Sequence, residues 1–446
     1  MEYIPNTKKQ QEEMLKIIGV DHWEDLLKDI PEEVRLKKDL NLPNPLTELE
    51  LQKEIPTISQ MNKHAGEMIH FMGGGAYDHY IPAAVSHLIF RSEFYTAYTP
   101  YQAEMSQGVL QSIYEYQTFI SELTGMEVAN ASLYDGASAL AEAAWMATRV
   151  TKRTGIVYAS TIHPNYRDVL GTYFRGLKSS LKPIPQDQGV IDSETVDRTI
   201  NEKTAAVLVQ TPNFFGCIED VSLLAQKAHA VGALLVVMVD PISLGLLKSP
   251  GEYDADIVVG EGQSLGNAMN FGGPYLGFFA TRRQYIRQMP GRIVGATVDT
   301  KGRRGFCLTL QTREQHIRRE RSTSNICTNE ALNALAATIY LALMGKAGLR
   351  EVAYQSLQKA HYAQKRLCDI EGVSLAYSNS FFKEFVLKVP SSFKKLSRKM
   401  EKAGVLIGPD LGHLGKKFKQ HLLVCVTEKR TKEDIDWMAE SLANAL

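Results

Sequence analysis

The 446-residue sequence has no excess of either charge: 50 lysines and arginines balance 50 aspartates and glutamates, so nothing in the balance favours nucleic acid or an anionic membrane. Cysteine is also scarce. Cys217, Cys307, Cys327, Cys368 and Cys425 are odd in number, scattered and without C-x-x-C spacing, which argues against a disulfide framework or a zinc site; no metal is expected. The opening stretch "MEYIPNTKKQQEEMLKIIGV" lacks the basic-then-apolar pattern of an export signal, and no apolar run is expected to reach the roughly 18 to 20 residues of a membrane span. A cytoplasmic location is expected. Between Lys248 and Lys301 there is no lysine, although that interval holds two strand-like apolar patterns.

What is present is an ordinary globular composition, 44% hydrophobic and 22% charged, long enough for two or three domains. Residues 1–60 read as an arm of short helices punctuated by prolines, with Thr47 placed as an N-cap and Glu50 three residues on. Residues 61–327 read as a large α/β domain. Its apolar runs "GIVYAS", "AAVLVQ", "ALLVVMVD" and "ADIVVG" alternate with helical patterns such as "DVSLLAQKAHAVG". Strands apolar on both faces and alternating with helices predict a mostly parallel sheet covered on both sides. Residues 328–446 begin with the apolar helix "TNEALNALAATIYLALMG", read as a buried link, and continue as a small α+β domain ending in a helix capped at Thr431.

A doubly wound sheet binds ligands at the carboxyl ends of its strands. Here "GIVYAS" leads to His163, "AAVLVQ" to Asn213 and "LLVVMV" to Asp240. In pyridoxal phosphate enzymes these places supply a ring that stacks on the cofactor, a polar neighbour, and a carboxylate that keeps the pyridine nitrogen protonated. The covalent attachment then needs a lysine near Gln263 or Ser264, and none is there. The helix of "LYDGASALAEAAWMA" would receive the phosphate at its amino terminus, but Asp135 is a natural N-cap whose carboxylate competes for the same N–H groups. The glycine triplet of "FMGGGAYDHYIP" is not a dinucleotide fingerprint. Two further stretches suit a pocket or a partner surface. "EFYTAYTPYQAEMSQG" clusters aromatic and uncharged polar groups, including Tyr98, Thr99, Tyr101 and Gln102, although a well-packed turn explains it equally well. "QTREQHIRRERSTSNICTNEA" holds Arg313, Arg321 and Asn325 in a poor helical context.

The strings "FMGGGAYDHYIPA", "TAYTPYQAEMSQG", "TGMEVANASLYDGASALAEA", "TPNFFGCIED", "GEGQSLGNAMNFGGPYLGFFATR" and "LTLQTREQHIRRERSTSNICTNEAL" together resemble the amino-terminal, or α, subunit of glycine decarboxylase, the P-protein of the glycine cleavage system. The resemblance covers essentially the whole chain. It implies a fold type I pyridoxal-phosphate-transferase architecture, with a mostly parallel large domain and a small α+β carboxyl-terminal domain. It also implies a homologous β subunit that carries the lysine and the pyridoxal phosphate, in an α2β2 assembly. That assembly, a glycine dehydrogenase of the aminomethyl-transferring kind, releases carbon dioxide from glycine and passes the aminomethyl group to the lipoyl arm of H-protein. Under the resemblance this chain binds no cofactor covalently and has no catalytic residue alone. Asp135, His163, Asn213, Asp240, Gln263 and Ser264 become vestigial cofactor-site positions. Composition and placement make Tyr98, Thr99, Tyr101 and Gln102 wall residues beside the partner's site, with Arg313, Arg321 and Asn325 at the subunit contact. Two alternatives stay open: a purely structural or regulatory partner of a pyridoxal enzyme, and a pyridoxal enzyme that uses an unexpected lysine.

Overall fold

The computed structural model describes residues 5–64, 66–177 and 179–446. The chain divides into two compact units, Met1–Lys63 and His64–Leu446. In the first, α1 (Lys8–Ile18) and α2 (Glu48–Ser59) each begin in a capping box. Thr7 pairs reciprocally with Gln10, and Thr47 with Glu50. The reciprocal bonds satisfy N–H groups that a helix start leaves unpaired. Neither helix buries a residue.

The second unit is organised by a seven-stranded sheet. Its strands in chain order are β1 (Val128–Ala129), β2 (Gly155–Ala159), β3 (Ser180–Ile184), β4 (Thr204–Gln210), β5 (Leu234–Val239), β6 (Ile257–Glu261) and β7 (Gly277–Thr281). They lie in the order β1-β7-β6-β5-β4-β2-β3, and the run from β6 to β3 is parallel throughout. β7 runs antiparallel to both of its neighbours, β1 and β6. A hairpin of β8 (Ile293–Val298) and β9 (Arg304–Thr309) follows.

Every residue of β5 is buried, and the side chains alternate between two apolar layers. Leu235, Val237 and Val239 pack with α3 (Gln107–Thr124), α6 (Val221–Ala230) and α7 (Ala331–Cys368). Leu234, Val236 and Met238 pack with α4 (Gly136–Thr151) and α5 (Pro164–Phe174). Strands of this kind carry apolar residues at every position because both faces are covered. Each such side chain contributes about 1.5–3 kcal/mol on burial.

By length and composition α7 is apolar enough to cross a membrane, contrary to the expectation that no stretch would be. Its packing makes it a core helix. Ala334, Ala336, Ala337, Tyr340 and Leu341 sit in the layer under the sheet, and Gly345, at φ 56° and ψ −172°, breaks the helix into two segments. The second segment leads to a three-stranded antiparallel sheet of β10 (Ser374–Leu375), β11 (Glu384–Lys388) and β12 (His421–Cys425). With α8 (Phe393–Lys402) and α9 (Lys432–Ala445) that sheet encloses its own apolar cluster. Val405–Leu406 is not one of its strands. Val405–Leu406 pairs in parallel with Ile69–His70, which ties the chain just before the glycine triplet to this smaller subdomain.

Candidate functional site

The carboxyl ends of β2, β5 and β6 deliver His163, Asp240 and Glu261 to one end of the sheet. Facing them are Gly75 of the glycine triplet, Tyr77, and Phe382, Lys383 and Glu384 where β11 begins. The space enclosed is about 30 Å³, room for little more than one water.

Asp240 is engaged. Its Oδ2 lies 2.7 Å from the Nζ of Lys383, a side chain only 2% exposed. The same ammonium is 2.9 Å from His79 Nε2 and sits 3.5 Å from the centre of the Tyr77 ring. Burial, and then the neighbouring Lys383 charge, hold the His79 imidazole below its usual pKa. It is therefore neutral: Nε2 accepts from Lys383, and Nδ1–H donates to Glu428 at 2.6 Å. The ammonium thus has an anion, an acceptor nitrogen and a ring face around it, which is what burying a cation requires.

Glu384, the next residue, closes the other side. Its Oε1 accepts from the Gly74 N–H at 2.7 Å and its Oε2 from the Tyr77 hydroxyl at 2.8 Å. Burial pushes this carboxyl up to about 7. Gly73 passes so close that a Cβ there would lie 2.3 Å from Glu384 Oε1 and 2.5 Å from Cys425 Cβ. A side chain has no room at Gly73, and Gly74 and Gly75 take φ of 75° and 112°, a backbone conformation that favours glycine.

His163 caps α5, its Nδ1 accepting from the Asn165 N–H at 3.1 Å. Its Nε2–H donates to the Gly74 carbonyl at 2.6 Å, and its ring stacks on Tyr166 with centres 4.6 Å apart. Burial lowers its pKa. Asn213 is elsewhere. Its amide donates to the Gly189 carbonyl and to Glu219, while its oxygen accepts from the Phe215 and Cys217 N–H groups, so the whole side chain is spent inside a turn. The residue from β4 that reaches the cavity is Gln210, which also accepts from the His163 N–H.

At the place expected for a lysine, Gln263 brackets Tyr77. Its oxygen accepts from the Tyr77 N–H at 2.8 Å, and its amide donates to the Tyr77 carbonyl at 3.1 Å and the Asn267 carbonyl at 2.7 Å. Ser264 Oγ is buried with no partner in the protein. At the start of α4, Asp135 accepts from the Ser138 N–H at 2.7 Å, and Glu261 Oε2 accepts from the Gly136 N–H at 3.0 Å. Glu261 Oε1 accepts from the Gln263 and Leu276 N–H groups, although burial still pushes its carboxyl up to about 7.

These residues do not fit pyridoxal phosphate. No amine stands at 263 or 264, two carboxylates take the Gly136 and Ser138 N–H groups of the phosphate-type helix start, Asp240 is neutralised by Lys383, and pockets for such ligands usually measure about 300–1,000 Å³.

None of the aromatic and arginine candidates lines this cavity. Tyr98 is 83% exposed, Gln102 is exposed and Thr99 half-buried. Tyr101 carries Arg292 over its ring at 5.6 Å and meets His316 edge-on. Arg321 and Asn325 are exposed. Arg313 is not: its guanidinium is buried and donates to the carbonyls of Met289 and Gly291, so it clamps the loop before β8 and offers no surface to a partner. Sequence reasoning misses Lys383, Glu384, Tyr77 and Glu261. One signal was available, in "FFKEFVLKVP", where two adjacent charges open a strand between pairs of large apolar side chains. Such charges are rarely buried unpaired.

Residues 1–442 match the glycine cleavage system P-protein family. The chain is 55% identical over 442 residues to the probable glycine dehydrogenase (decarboxylating) subunit 1 of Carboxydothermus hydrogenoformans, and 54% identical over 442 residues to that of Desulforamulus reducens; each alignment covers 99% of both chains. It is similar over the full length of both chains to a crystal structure of glycine decarboxylase (P-protein) of the glycine cleavage system in inhibitor-bound form, with a TM-score of 0.90 and 44% identity. A cysteine desulfurase from Escherichia coli, at 12% identity and a TM-score of 0.63 over 90% of this chain and 99% of its own, shares the fold alone. The architecture is that of fold type I pyridoxal phosphate enzymes, and the chain belongs to the glycine cleavage system P-protein family.

Proposed function

We propose that this chain is the α subunit of a heteromeric glycine decarboxylase. Its homologous β subunit carries the pyridoxal phosphate on a lysine of its own, in an α2β2 assembly that decarboxylates glycine and hands the aminomethyl group to the lipoyl arm of H-protein. The observation that carries this reading is a fold type I site with no amine at Gln263 or Ser264 and with its helix start taken by Asp135 and Glu261, in a chain whose full-length relatives are called subunit 1. Pyridoxal phosphate would act as an electron sink on the partner. Asp135, His163, Asn213, Asp240, Gln263 and Ser264 are in this reading the counterparts of a cofactor site that has lost its role.

This chain contributes surface. Tyr98, Thr99, Tyr101 and Gln102 form a wall beside the partner's site, where aromatic and uncharged groups exclude water and hold a small zwitterion without adding competing charge. Arg321 and Asn325 lie at the subunit contact, and Arg313 supports the loop behind it. A cytoplasmic location belongs to the same proposal, in keeping with cysteines that are free.

The test is glycine–bicarbonate exchange with this chain alone, with a lysine-bearing homologous subunit alone, and with the two coexpressed. Exchange only in the coexpressed, heterotetrameric sample is expected. Full exchange by the partner alone would reduce this chain to a scaffold, and exchange by this chain alone would overturn the assignment of the cofactor.

A further inference from the structure

The buried cation at the centre of the site has a place in the fold that calls for explanation. In fold type I enzymes the carboxylate after this strand faces a protonated pyridine nitrogen. Here the partner of Asp240 is Lys383, carried in from the smaller subdomain at 2.7 Å, with Tyr77 against the ammonium at 3.5 Å. The ammonium therefore meets the carboxylate that a bound pyridinium would meet, and an aromatic face supplied by Tyr77.

Asp240, its side chain only 10% exposed, would be costly with no cation beside it, since a carboxylate largely removed from water is among the least favourable groups in a protein. The rest of the cluster serves the same end. His79, held neutral and oriented by Glu428, supplies an acceptor for a second ammonium proton, and Glu384 fixes Tyr77 through its hydroxyl. One amine cannot both neutralise Asp240 and attach a cofactor that needs Asp240 for its own nitrogen. Lys383 is therefore not the unexpected lysine of a pyridoxal enzyme.

We propose that Lys383 is a built-in substitute for a pyridinium: its ammonium neutralises Asp240, lies on Tyr77 and locks the smaller subdomain onto the sheet, so that the chain itself fills the site and refuses pyridoxal phosphate. The proposal concerns this chain alone and does not rest on which partner it has.

The test is a double-mutant cycle on the full chain with a chemical rescue. Lys383→Ala removes propylammonium from the side chain and leaves the largely covered Asp240 without a cation. Its melting temperature is expected to fall by roughly 5 °C or more. Lys383→Ala/Asp240→Asn removes the stranded charge as well and is expected to melt above the single variant. Added n-propylammonium should raise the melting temperature of Lys383→Ala and leave wild type and the double variant where they are. If Lys383→Ala does not fold, the volume-preserving pair Lys383→Met and Lys383→Met/Asp240→Asn gives the same comparison. Additive effects in the cycle, or a rescue equal in the double variant, would overturn the proposal.

Pyridoxal phosphate titration of the wild-type chain, followed by absorbance and borohydride trapping, should give no stoichiometric adduct. An adduct would overturn both this inference and the cofactor assignment above. A coupled cycle together with absent exchange in the coexpressed complex would sink only the proposed function.

Discussion

Glu384 is a buried carboxyl group that accepts from the Gly74 N–H and the Tyr77 hydroxyl, and its burial makes the stability of the chain depend on pH. Burial raises its folded pKa from 4.5 to about 7, so the folded chain holds a proton there more tightly than the unfolded chain does. The contribution is fully present below about pH 4.5 and is lost as the pH rises towards 7. Over that window the group costs up to about 1.4 kcal/mol per pH unit. Glu384→Gln cannot titrate. The difference in unfolding free energy between wild type and this variant, from urea melts at pH 5, 6, 7 and 8, should shift steadily in favour of the variant up to pH 7 and then level off. A difference independent of pH would mean that Glu384 is ionised throughout. At this scale the sequence is legible where a side chain acts within its own segment. Asp135 capping its own helix and Asp240 ending its own strand follow from local pattern. Lys383 does not, because what makes it notable is an aspartate in another subdomain, and no periodicity encodes that distance.

Whole elements follow from pattern where burial is two-sided or a cap is reciprocal. The β4, β5 and β6 strands correspond to uninterrupted apolar runs, and the Thr47 and Thr431 capping boxes form bonds at the spacing the sequence carries. Glycine is more ambiguous. The apolar pattern "TNEALNALAATIYLALMG" ends at Gly345, yet helix resumes beyond it to Cys368, and the residue is a break between two packed segments. The backbone conformation decides what a substitution there does. A helix-interior glycine replaced by alanine gains about 1 kcal/mol. At φ 56° and ψ −172°, however, an L side chain is strained, although nothing lies within 4 Å of the Cβ position to clash with it. Gly345→Ala is therefore expected to destabilise by about 1–3 kcal/mol, measured by urea unfolding. A gain in stability would show that the two segments are one helix in solution.

For the whole molecule the informative feature is where apolar surface is left uncovered. The segment after the short helix Ala83–Ile89 exposes Phe90, Tyr95, Tyr98, Tyr101 and Met105 in close succession, and Phe271 stands fully exposed at the tip of the loop between β6 and β7. Exposed aromatic clusters of this kind mark surfaces that meet another chain, and obligate interfaces commonly bury about 2,000–5,000 Å². The sequence pointed to the segment through its composition, but an aromatic, polar-uncharged stretch fits a packed turn as well as a surface, and only exposure separates the two. That exposure also makes the mutational test clean. Tyr98, at 83% exposed, and Gln102 contribute little packing to the chain itself, so Tyr98→Phe and Gln102→Ala should leave its own stability within about 0.5 kcal/mol. If both residues wall the partner's site, the variants should assemble normally by size exclusion, retain the cofactor content of the complex and lose glycine–bicarbonate exchange. If they serve only the contact between subunits, heterotetramer yield should fall in step with exchange. Normal exchange in intact complexes of both variants would remove the segment from the site altogether.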